Sequence, residues 1–71
     1  MNVYVFRTDI FSEYDLEAVD ELLSQEQTIV GWNVDRDDID RVLRVESTAE
    51  NAQELQQTLS KAGFFCEELQ D

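Results

Sequence analysis

A chain of 71 residues is long enough for one small domain and too short for two. Seventeen acidic against five basic side chains give a formal net charge of -12, which argues against binding to nucleic-acid phosphates or anionic membrane surfaces. The charge leaves a basic protein or a hard cation as compatible partners, and in the plainer reading it keeps a monomer dispersed.

Val3 to Phe6 is a β-branched and aromatic run, read as a first strand with Tyr4 and Phe6 on one face and Val3 and Val5 on the other. Ser12 is placed to cap the next helix, with Glu13 and Asp15 adding negative charge to its first turn. Leu16, Val19, Leu22 and Leu23 recur at helical spacing, opposite Glu17, Asp20, Glu21 and Glu26. From Thr28 to Val34 the pattern alternates, which predicts a strand with Val30, Trp32 and Val34 facing the core. Asp35-Arg36-Asp37-Asp38 reads as a polar turn, and Arg41 to Glu46 as the returning strand of a hairpin. There Leu43 and Val45 face the core, while Val42, Arg44 and Glu46 face away. Ser47-Thr48-Ala49-Glu50 matches a capping box, with Ser47 as N-cap of a second helix. Ala52, Leu55, Leu59 and Ala62 form its apolar stripe, and Gly63 ends it. Phe64, Phe65, Cys66 and Leu69 supply a short last strand.

The order β-α-β-β-α-β predicts a single α+β domain over residues 1–71 of the ferredoxin-like kind, a four-stranded antiparallel sheet with two helices on one face. Three segments sharpen that expectation. Phe6-Arg7-Thr8-Asp9-Ile10 stands where a bacterial subgroup of heavy-metal-associated (copper-chaperone-like) domains carries its strand-to-loop segment. Trp32-Asn33-Val34-Asp35 with Arg41 to Glu46 resembles the middle hairpin of that subgroup, and Lys61-Ala62-Gly63-Phe64 resembles the end of its second helix. The resemblance implies a metal loop with Cys-x-x-Cys after the first strand, but Ser12 and Asp15 occupy the two cysteine positions. Hydroxyl and carboxylate oxygens are hard ligands and poor partners for Cu(I), so copper handling is not carried over.

Asp9, Glu13 and Asp15 could together offer oxygen ligands to a hard divalent cation, against the simpler reading of a capped helix with a favourable dipole. The run from Asp35 to Asp40 lacks the glycine and the ligand spacing of a calcium loop and is read as a solvated turn. Trp32 is assigned to the core. Cys66 is the only cysteine, so no intrachain disulfide forms. It is read as a small buried hydrophobe, and with no leader-like N-terminus it points to a reducing, cytoplasmic setting. No apolar run reaches membrane-spanning length. Val42 and Phe65 are candidates for a protein contact on the open face of the sheet. The chain has no histidine and no nucleophile–base pair, so no enzyme activity and no cofactor are expected. The leading expectation is a non-catalytic binding module on a heavy-metal-associated-like scaffold. Oxygen-ligand metal binding and a small-molecule regulatory module are the alternatives.

Overall fold

The computed structural model describes residues 1–69. The elements are β1 (Asn2–Thr8), α1 (Glu13–Ser24), β2 (Ile29–Asp35), β3 (Val42–Ser47), α2 (Gln53–Lys61) and β4 (Cys66–Glu68). They build one antiparallel sheet in the order β2-β3-β1-β4, the ferredoxin-like α+β arrangement. β1 and β3 occupy the centre, and β2 and β4 are the edges.

Alternation along the central strands explains the core. Phe6 of β1 and Leu43 and Val45 of β3 point to one side and are fully buried. Val19 and Leu23 of α1 and Leu55 and Leu59 of α2 close over them, with Ile10, Ala52 and Cys66 filling the margins. Each fully buried Leu, Val or Phe contributes about 1.5–3 kcal/mol, which a domain this small needs. Trp32 is half-buried and packs against this cluster, as its place in the strand predicts.

The face assigned to β2 needs one correction. Ile29 pairs with Ser47 and Gly31 with Glu46, so Val30 is an extra residue in the ladder. An inserted residue reverses the parity of everything on one side of it. Ile29 therefore joins Trp32 and Val34 against the core, and Val30 turns out to solvent, 62% exposed.

The second helix needs another. Ser47 does not cap it. The residue lies opposite both Asn2 and Ile29, so strands on either side hold it in the sheet, where it is fully buried. Its Oγ accepts from the Ala49 N–H at 3.0 Å, which turns the chain off the sheet. α2 starts at Gln53 behind Ala52, whose side chain has nothing to offer as a cap. Asn51 Oδ1 instead accepts from the Gln53 N–H at 3.0 Å. At the other end Ala62 is the exposed C-cap rather than part of the buried stripe. Gly63 takes φ +96°, and the N–H groups of Gly63 and Phe64 donate to the carbonyls of Ser60 and Leu59. That pair of bonds is the Schellman closure, and it needs a residue free to enter the left-handed region.

Candidate functional site

One end of the domain gathers three connections: the loop from Asp9 to Ser12, the β2–β3 loop and the turn between α2 and β4. Register brings them together, because Thr8 at the end of β1 lies opposite Cys66 at the start of β4 and β3 begins beside it. Thr8 fastens the β2–β3 loop to β1. Its N–H donates to the Asp40 carbonyl at 3.1 Å, and its buried Oγ1 donates to the Arg41 carbonyl at 2.6 Å. The same oxygen accepts from the Ile10 N–H at 3.2 Å. Arg41 has φ +47°, an uncommon conformation for a residue with a side chain. Its guanidinium donates to the carbonyls of Arg36, at 2.7 Å, and Asp38, at 3.2 Å, and its Cζ sits 4.6 Å from the centre of the Phe11 ring.

Ser12 and Asp15 meet at the N-terminus of α1 and form a complete capping box. Ser12 Oγ accepts from the Asp15 N–H at 3.1 Å, and Asp15 Oδ2 accepts from the N–H groups of Ser12 and Phe11, both at 3.1 Å. These backbone donors, Ser12 first and then Phe11, hold the Asp15 carboxyl below the usual aspartate range. Asp9 is turned elsewhere: its Oδ1 accepts from the Phe65 N–H at 3.0 Å and ties the first loop to the approach of β4. The carboxylates of Asp9 and Asp15 thus serve different backbone amides. Among the described residues no three acidic or cysteine side chains are gathered in a way that could hold a metal ion.

Cys66 is buried at the start of β4. Burial first, and then the negative charge of Asp9, push its thiol up to about 12. At neutral pH it is therefore protonated, which suits packing and not metal capture. Val42 is half-buried on the open side of β3, beside a surface depression of about 440 Å³ also lined by Asn33, Asp35 and Arg44. Phe65 is half-exposed just ahead of β4.

Several members of this end are not picked out by sequence reasoning. Tyr14 and Ile39 stand between acidic neighbours and Phe11 follows the buried Ile10 outside any periodic run, and all three are exposed here. Arg41 is read as the first residue of a strand, but its φ makes it the hinge that lets the β2–β3 loop close onto β1. No helix among the described residues is long and apolar enough to cross a membrane. No protein-family model matches the chain, and no curated protein matches it.

Proposed function

We infer that this chain is a non-catalytic interaction module: a heavy-metal-associated-like domain whose metal loop has become a helix cap. The supporting observation is the capping box. Both positions that would carry thiolates in that family hold oxygen side chains, and both side chains are occupied by backbone amides. A soft ion would have to displace those amides to reach two hard ligands, and Cu(I) gains little from oxygen. Cys66, protonated at neutral pH, adds no thiolate. The absence of histidine leaves the chain without the commonest general base. What the scaffold retains is surface: three connections fixed against one another and a sheet face without a helical cover.

A Cu(I) titration against a strong competing chelator tests this reading. The expected result is no stoichiometric uptake, by the wild-type chain or by Cys66→Ser. Tight binding of one Cu(I) per chain would overturn it.

A further inference from the structure

We propose that the outer edge of β2 takes up, as an added strand, an extended segment of another protein in which apolar residues alternate with lysine or arginine. The proposal rests on the interaction-module reading and names the site and the partner chemistry for it. Its first support is the direction of the backbone. The Leu69 N–H donates to the Val5 carbonyl at 2.8 Å, so Val5 turns its peptide groups to β4 while Tyr4 and Phe6 turn theirs to β3. Their partners Val45 and Leu43 then face β1, and Arg44 and Glu46 face β2. Asn33 and Gly31 lie opposite those two, so the N–H and C=O groups of Trp32 and Val34 point away from the sheet. Among the described residues no turn or loop backbone group answers them.

The second support is how little closes this edge to pairing. Exposed edges are ordinarily blunted by short length, charge or proline. β4, the opposite edge, is three residues long, and two of them are glutamates. β2 runs for seven residues without lysine or proline, and its one charge is its last residue, Asp35. Gln27 to Val34 is the longest stretch of the sequence without a charged side chain. The bulge at Val30 precedes the outward-facing residues, and the ladder from Gly31 to Asp35 is regular. Gly31 keeps φ out of the left-handed region, and a Cβ there would meet nothing within 4 Å, so the fold itself does not require glycine at this place. A glycine inside a strand suits close approach by another backbone.

Shape and charge select the occupant. Beside the edge, a depression of about 350 Å³ lies between the C-terminal end of α1 and β2, lined by Leu23, Ile29 and Trp32 with Glu26 among them. It suits the apolar side chains that a strand presents at alternate positions. The end of the domain where β2 begins carries Glu26, Glu46, Glu50 and Glu54. The basic residues lie elsewhere: Arg7, Arg36 and Arg41 around the β2–β3 loop, Lys61 at the end of α2, and Arg44 opposite Asn33 on the open face. This edge therefore opens toward the part of the surface without a cation, on a chain whose net charge of -12 draws cationic segments from a distance. A second copy joined β2 to β2 would set two α1 helices on the same side of one sheet, each with Glu17, Asp20 and Glu21 exposed, and is disfavoured.

The test follows amide hydrogen exchange residue by residue in the full chain, with three short synthetic peptides. They are lysine alternating with valine, glutamate alternating with valine, and the lysine–valine sequence with every backbone nitrogen methylated. In the free chain the amides of Trp32 and Val34 should exchange faster than those of Gly31 and Asn33. Lysine–valine at about ten times its dissociation constant should slow Trp32 and Val34 about tenfold and leave Gly31 and Asn33 nearly unchanged. Its binding should weaken as salt rises. Val34→Pro removes one outward N–H and keeps the bonds to β3, while Val30→Lys puts a like charge on a side chain that is already 62% exposed. Each should weaken lysine–valine about tenfold. Unchanged exchange in β1 and β3 separates lost binding from lost folding, and Val30→Lys carries the test if Val34→Pro unfolds. Equal binding of glutamate–valine would overturn the charge selection. Equal binding of the methylated peptide, or protection spread evenly from Gly31 to Asp35, would overturn strand addition, as would binding of none of the peptides. Binding confined to another surface would overturn the β2 site and leave the interaction module standing, since Cu(I) uptake tests that module separately. Protection of Trp32 and Val34 that grows with protein concentration without peptide would overturn the foreign partner in favour of a second copy.

Discussion

At the scale of single residues, the first loop shows how two side chains can keep a motif's spacing and change its work. Ser12 and Asp15 lie three apart, the spacing at which a residue before a helix and one in its first turn exchange hydrogen bonds with each other's backbone. Ser12→Ala removes the acceptor for the Asp15 N–H and should lower stability by about 1 kcal/mol, read from the urea midpoint. Asp15 sets a pH dependence with a definite sign. Its folded-state pKa lies below its unfolded value, so its contribution is complete above about pH 4 and is lost as pH falls through the folded value. Asp15→Asn should flatten that acid limb when midpoints are measured between neutral pH and about pH 2. Cys66 works in the opposite range. With its thiol pushed up to about 12, the unfolded chain ionises first, so stability should decline as pH rises above about 8.5. At neutral pH iodoacetamide should label Cys66 far more slowly in the native chain than in urea, and equal rates would contradict its burial.

At the scale of elements, the start of α2 separates a motif from its use. Ser47-Thr48-Ala49-Glu50 has the letters of a capping box, but Ser47 is drawn into the sheet by partners on both sides. Glu50→Ala should therefore change stability by no more than about 0.5 kcal/mol, as at ordinary exposed positions. Ser47→Ala should cost about 1 kcal/mol, because it leaves the part-buried Ala49 N–H without its acceptor. A thermal-shift comparison of the two variants decides between cap and sheet residue. The β2 strand teaches a related lesson. Its existence is plain from alternation, but the bulge at Val30 is decided by which residues of β3 it must meet. Gly63, by contrast, is legible from sequence, because a left-handed helix end is a local demand met by a local residue.

At the scale of the whole molecule, the net charge of -12 opposes compaction through self-repulsion. Adding salt from near zero to about 0.15 M shortens the screening length to about 8 Å and should raise the melting temperature by a few degrees. An unchanged or lower value would show that the acids are already spaced widely enough to ignore one another. Periodicity and composition determined the element order, the fold class, most of the core and the capped first helix, because these follow from contacts between near neighbours in sequence. Tertiary structure alone decided the rest. It placed Ile29 inside and Val30 outside, took Ser47 from helix to sheet, turned Asp9 toward Phe65 and stacked Arg41 on Phe11. Each of these depends on register between strands distant in the chain, and register is set by the packing of the whole sheet rather than by any single segment.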